Sequence, residues 1–463
     1  MKRIYPFLTV LFLIFFTLGK AQIISTIAGN YIASHPFGGY SGDGGPATAA
    51  ELGLPIGVAL DDTGNIFIGE FGNGTIRKVS ATTGIITTIA GNGHIGFGGY
   101  GGQATSAFLA EVNGITIDKS GNLFIADGNG NVILKIVLAT GVINIVAGNG
   151  YKALTGYGGY SGDGGQATDA ELWNPSSVAI DDSNNVLFAD EKNNRVRKVN
   201  VISGLISTVA GKSVYGYTGD GGPAKNAEMH GPTGLALDSF NNIYIADGFN
   251  TVIRKVDATT GIITTIAGNG HGGDSGDGGP ATAAGLTVNG VSFDKFGNMY
   301  IADGNYKIRM VTPDSIIHSV AGITSGGYSG DSGPATDAEL LGTSNVAFDS
   351  LGNIYISDAS NNVIRKVTGN LITTGLAQQN LQKVKIYPNP SKGIFNLSFS
   401  SLENSCKVKV YTLLGDEINS SVLGKNNSNF ILDLSAQPAG IYFYRILKDN
   451  GAFVGSGKLV IDH

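Results

Sequence analysis

Short apolar blocks of four to six residues recur along most of the chain, each bounded by Gly, Asn or Asp. Blocks of that length, rich in β-branched and aromatic residues and closed by turn formers, predict strands. In one copy they occupy residues 234–238, 242–247, 252–256 and 262–266. The first two are nearly continuous apolar runs, the third carries Arg254 and Lys255, and the fourth alternates with threonine. That order predicts burial falling from the first strand to the last, as in a blade whose inner strand sits at a hub.

The fourth block ends in Ile/Val-Ala-Gly, a marker that recurs at Gly29, Gly91, Gly148, Gly211, Gly268 and Gly322, every 54 to 63 residues. Six copies of a four-stranded unit predict an all-β fold, a six-bladed β-propeller over residues 22–377. A β-solenoid, with coils of roughly 20–30 residues, fits this period poorly. Six blades need six outer strands, yet seven candidates exist, because residues 23–27 and 371–376 both qualify. The preferred reading places the N-terminal strand in the last blade.

The repeat Asp-x-x-Gly-Asn-(Ile/Leu)-(Phe/Tyr)-Ile-Ala-Asp, followed by Asn-Asn-x-(Ile/Val)-Arg-Lys-Val, resembles the NHL repeat from about residue 23 to 367. The fit is best at residues 193–199; Glu70 departs from it in the first copy and Leu134 in the second. The resemblance implies a ring tied shut by an N-terminal strand.

A polar linker (378–383) leads to residues 384–463, where alternating blocks separated by turn residues predict a small Ig-like antiparallel β-sandwich. Tyr387-Pro388-Asn389-Pro390, Leu414-Gly415, residues 438–442 and the terminal Lys458-Leu459-Val460-Ile461 resemble the type A sorting domain of type IX secretion. The resemblance implies the type IX secretion machinery as a partner. It also implies a protein that is secreted, or held on the outer-membrane surface of a Gram-negative bacterium, after passing through the periplasm. At the other end, Lys2 and Arg3 precede an apolar run from 7 to 18, and Gly19-Lys20-Ala21 supplies a small-residue cleavage site. This predicts a signal peptide, 1–21, cut before Gln22. The run is too short to span a bilayer, so no transmembrane segment is expected in the mature chain.

The 71 glycines and only 14% charged residues suit many tight turns. A formal net charge of −6 without a basic run argues against nucleic acid. Cys406 is the only cysteine, which excludes an internal disulfide and points to a small buried core residue.

Five glycine-rich loops repeat (Ser/Thr)-Gly-Asp-(Gly/Ser)-Gly-(Pro/Gln)-Ala, placing Asp43, Asp163, Asp220, Asp277 and Asp331 at equivalent positions; the second copy has Tyr100 instead. These carboxylates are weak candidates for calcium, because the spacing of a calcium loop is absent. The other reading is a turn whose Asp caps its own backbone. No cofactor is expected. The Asp ending the second strand (Asp127, Asp190, Asp247, Asp303, Asp358) recurs in blade after blade and so reads as blade construction.

Some six-bladed relatives are calcium-dependent lactonases or a zinc lyase, so the resemblance carries the alternative of a channel-sited hydrolase or lyase. Only His230 stands just before an inner strand, while His35, His94 and His271 fall in glycine loops, and no catalytic residue is assigned. Selectivity should lie where the copies differ: Trp173, the only tryptophan, together with Glu191, Lys192, Phe249 and Tyr306. Tyrosine-rich inserts near residue 157 add stacking surface. The expectation is a module that binds protein, peptide or glycan.

Overall fold

A computed structural model describes residues 22–32, 38–368, 385–398, 406–412, 417–423, 429–448 and 453–462. The expected signal peptide (1–21), the linker (378–383) and the alternative closing strand (371–376) lie outside the described residues. The chain divides into two compact units on either side of residue 371.

The first unit is a six-bladed propeller of four-stranded antiparallel sheets. The inner strands of blades 1 to 6 are Pro55–Leu60, Val112–Ile117, Pro175–Ile180, Pro232–Leu237, Val288–Phe293 and Thr343–Phe348. Each touches the next, and the last touches the first, so the ring closes. Ile23–Ala28 is the outer strand of blade 6, pairing with Val363–Thr368 so that Ile23 lies opposite Thr368. The N-terminal strand therefore completes the last blade. Six apolar clusters fill the six spaces between blades; between blades 1 and 2, for example, Phe67, Ile76, Leu109, Ile125 and Leu134 interdigitate.

The burial order differs from expectation. In blade 1 the second strand, Ile66–Glu70, is buried throughout, whereas the inner strand is only partly so. The inner strands line an open axial channel and meet solvent there, while the second strand has a neighbour on each side and a blade on each face. The third strand is also deeply buried, its polar look being due to an arginine that is wholly enclosed.

The marker glycine has a steric cause. All six copies sit at φ between +81° and +89°, and an added Cβ would fall 2.1–2.4 Å from a carbonyl oxygen at the start of the third strand. After it the chain leaves the blade for the glycine-rich loop.

Because strands alternate in direction, these loops and the tips between second and third strands share one side, the loop face. Turns between inner and second strands emerge on the opposite side, the turn face. At the channel the blades are sewn together by side chains at one inner-strand position. Asn113 donates to Pro175 O (3.3 Å), Ser176 to Pro232 O (2.8 Å), Thr233 to Val288 O (3.4 Å), Asn289 to Thr343 O (2.8 Å) and Ser344 to Ile56 O (2.9 Å). The belt runs in one sense around the ring and breaks at Ile56, which has no donor.

The second unit has a three-stranded sheet (Lys385–Tyr387, Ile394–Ser398, Asn429–Asp433) and a four-stranded one (Glu417–Leu423, Cys406–Tyr411, Gly440–Lys448, Phe453–Ile461). Both contribute to a single core, with Phe395 and Leu432 from one and Val408, Tyr444 and Leu459 from the other, which makes it a sandwich. Cys406 is buried in that core.

Candidate functional site

The loop face is built on one carboxylate per blade. Asp127, Asp190, Asp247, Asp303 and Asp358, with Glu70 in blade 1, are fully buried at the ends of the second strands. Each accepts a backbone N–H from the segment entering its own inner strand: Gly53 (3.0 Å), Glu111 (2.9 Å), Trp173 (2.8 Å), His230 (2.7 Å), Thr287 (3.0 Å) and Leu341 (2.7 Å). The invariant carboxylate thus fixes the backbone at the position whose side chain varies from blade to blade.

In five blades an arginine of the third strand neutralises that carboxylate. Arg197 donates through NH1 to Asp190 (3.2 Å), and through Nε and NH2 to Asp163 of the glycine loop (3.1 and 2.8 Å). Asp43, Asp220, Asp277 and Asp331 likewise pair with the NH2 groups of Arg77, Arg254, Arg309 and Arg365, at 2.6–2.8 Å. This corrects the reading of these aspartates as caps of their own turns. Their second oxygens reach the outer strand instead, Asp163 accepting from Thr208 N (3.1 Å) and Asp220 from Thr265 N (2.9 Å). As calcium candidates the five are already committed to guanidinium groups, and the described residues hold no cluster of three or more His, Cys, Asp or Glu side chains with metal-site geometry. Tyr160, from the tyrosine-rich insert, covers Arg195 and Arg197 at 3.7 and 4.7 Å, so its ring serves the blade.

Burial lifts Asp190, Asp247 and Asp358 to about 6 even with arginine beside them, and lifts Glu70 to about 7.

Where the copies differ, the face is lopsided. The axial cavity has a volume of about 730 Å³, and Phe71, Glu111, Asn174 and Glu191 stand around it on blades 1 to 3. The equivalent entrance and tip positions of blades 4 to 6 are Gly231, Thr287 and Gly342, then Gly248, Gly304 and Ala359. None of the described histidines lines this cavity; His35 lies outside the described residues. Burial, reinforced by the charge of Glu191, raises the Glu111 carboxyl above its usual range.

Between blades 3 and 4 the varied side chains converge. Glu191 pairs with Lys192 at 2.7 Å, and the Lys192 ammonium lies 5.8 Å from the Phe249 ring centre. Phe249 stacks on His230 at 4.6 Å, and His230 on Tyr215 at 5.0 Å. Phe249 and Tyr215 remain 63% and 69% exposed. Trp173 adjoins this group, since its carbonyl accepts from Lys192 N (3.2 Å). Its ring lies 6.4 Å from Tyr157, with Nε1 donating to Gly156 O (3.3 Å). Tyr306 stands apart on blade 5, at φ +68° and packed against Gly326. Glu111, His230 and Tyr215 were not singled out as ligand-binding from sequence; for Glu111 and His230 the available signal was a side chain at the entrance whose chemistry no other blade repeats at that position.

Residues 385–462 match the family model of the secretion system C-terminal sorting domain, and residues 139–218 and 214–273 match that of the teneurin NHL domain. The chain is an NHL-repeat propeller carrying a C-terminal sorting domain. Teneurin-4 of Mus musculus is 28% identical over 359 residues, covering 70% of this chain but only 12% of its own length; teneurin-m of Drosophila melanogaster is 25% identical over 357 residues. Among solved structures, an auxiliary nutrient binding protein of Bacteroides ovatus superposes with a TM-score of 0.54 at 14% identity, covering 76% of this chain and 77% of that one. A Bacteroides thetaiotaomicron protein of unknown function gives 0.54 at 19%, covering 75% and 76%. These likenesses concern the propeller fold. The sorting domain directs this NHL-repeat protein through type IX secretion to the cell surface or the medium.

Proposed function

We propose that the propeller is a binding module that captures a protein, peptide or glycan on its loop face, at the junction of blades 3 and 4. The observation that carries this reading is the exposed Tyr215–His230–Phe249 stack beside the Glu191–Lys192 pair and Trp173. Exposed rings in ordered stacks offer flat apolar surface at low entropic cost, and flanking charges set orientation. The solved neighbour described as an auxiliary nutrient binding protein accords with a capture role.

The test is a glycan and peptide array probed with the secreted protein and with Phe249→Ala and Trp173→Ala. Each substitution should weaken binding by about 1–3 kcal/mol, the range of an interface anchor. Phe249→Ala should leave unfolding unchanged because that ring is largely exposed. A Trp173→Ala loss of about 3–5 kcal/mol in stability with binding intact would make that ring structural. Retention of binding by both variants, or turnover of a lactone by the wild type, would overturn the proposal in favour of a channel-sited enzyme.

A further inference from the structure

The turn face carries a second surface that neither the fold nor the loop-face site accounts for. The turn between inner and second strands has the same construction in every blade: an Asp carboxylate accepts the backbone N–H groups two and four residues later. In blade 1 Asp61 accepts from Thr63 (3.0 Å) and Asn65 (2.9 Å); in blade 4 Asp238 accepts from Phe240 (2.9 Å) and Asn242 (3.0 Å). The residue at the tip is Thr63, Ser120 and Ser183 in blades 1 to 3, but Phe240, Phe296 and Leu351 in blades 4 to 6. Those three are 78%, 52% and 83% exposed. Three blades make the turn with a hydroxyl residue, so its geometry does not call for an apolar one. Equivalent positions in successive blades stand at equal height around the axis, so the three form one crescent over half of the face.

We propose that this crescent is a lipid-docking surface, its three side chains entering the headgroup and acyl boundary of a membrane. Side chains of this size and exposure offer roughly 400 Å² of apolar surface, about half of the roughly 800 Å² per partner in a stable protein–protein interface. A second copy or a flat protein partner is therefore undersupplied, whereas a lipid layer takes in separate prongs one by one. The turns hold the prongs rigidly, so little freedom is lost on insertion. Charge does not drive the contact: Lys295 lies among the prongs, but Asp257 and Asp314 occupy the outer turns of blades 4 and 5.

The experiment is flotation of the mature full-length protein with phosphatidylcholine vesicles, in parallel with the triple variant Phe240→Ser, Phe296→Ser, Leu351→Ser. Wild-type binding should be the same at about 0.1 M and about 1 M salt, because apolar insertion is not screened. The variant should bind roughly tenfold less or weaker still, from the loss of three buried apolar side chains. It should melt at the wild-type temperature, as the hydroxyl-bearing turns of blades 1 to 3 lead one to expect. No vesicle binding by the wild type, equal binding by the variant, or binding abolished by salt would each overturn the proposal. A wild-type dimer that the variant turns into a monomer, without vesicle binding, would reassign the crescent to a second copy of the chain.

Discussion

Blades 2 and 3 stand side by side on nearly the same backbone and treat one buried carboxylate in different ways. In blade 3, Asp190 shares Arg197 with Asp163 of the glycine loop. In blade 2 the loop position is Tyr100 and the arginine position is Leu134. Leu134 and Tyr100 join the apolar cluster between blades 1 and 2, and the Tyr100 hydroxyl reaches toward Asp127 and Phe108 O. Asp127 is left with the amides of Ala110 and Glu111 as its main partners, and burial raises it to about 7. The blade therefore requires the carboxylate, because the entrance amides need an acceptor. The counter-ion is dispensable, provided that both of its contacts change together.

The largest effect should come from breaking the ion pair on one side only. Arg197→Leu leaves Asp163 and Asp190 uncompensated, one of them fully buried, and should cost about 3–5 kcal/mol. Trp173, whose amide Asp190 holds, supplies a fluorescence signal for unfolding in that very blade. Converting blade 3 fully to the chemistry of blade 2 sharpens the comparison. Asp163→Tyr added to Arg197→Leu should recover about 1–3 kcal/mol of that loss, a coupling read from a double-mutant cycle. If the double variant is no more stable than Arg197→Leu alone, the two departures in blade 2 are unrelated.

A smaller effect separates the blades by pH. The folded-state pKa of Asp127 is raised to about 7 from roughly 3.9 in the unfolded chain. Between those values the unfolded state releases the proton and the folded state keeps it, so this group makes stability fall as pH rises from about 4 to about 7. Glu70 and Asp190 add slopes of the same sign. Asp127→Asn should therefore flatten the stability profile across that window without abolishing its slope, as thermal melts at stepped pH would reveal. An unchanged slope would mean that Asp127 titrates normally.

Much of this was legible in the residues themselves. Strand blocks, the six-fold repeat and the role of the second-strand aspartates follow from periodicity and from Gly, Asn and Asp punctuation. The partner of each loop aspartate was harder to see, because the arginine lies 34 residues downstream (32 in blade 5) and the link passes through the fold. The clue was that Tyr100 and Leu134 depart in the same copy at that same spacing. The inner-strand belt was hidden for another reason: Asn, Ser and Thr at one position look like ordinary strand polarity until the next blade supplies the carbonyl. Among the varied side chains, Glu191, Lys192 and Phe249 meet because blades 3 and 4 are neighbours in the ring, while the Trp173 ring turns to Tyr157 and Gly156. Tyr306 belongs to blade 5, and no pattern within a repeat reveals that distance.

The pairing of Ile23 with Thr368 has a consequence in time. A chain crossing a membrane from its N-terminus delivers residues 23–28 first, but their partner strand, Val363–Thr368, comes last among the described strands of the propeller. Five blades can assemble from neighbours in sequence while the sixth waits, its outer place empty and the ring unlocked. Only when residue 368 has crossed can the clasp engage, and the sorting domain follows directly behind it. Completion of the cargo and arrival of its export tag are thus set to the same moment by the order of strands alone.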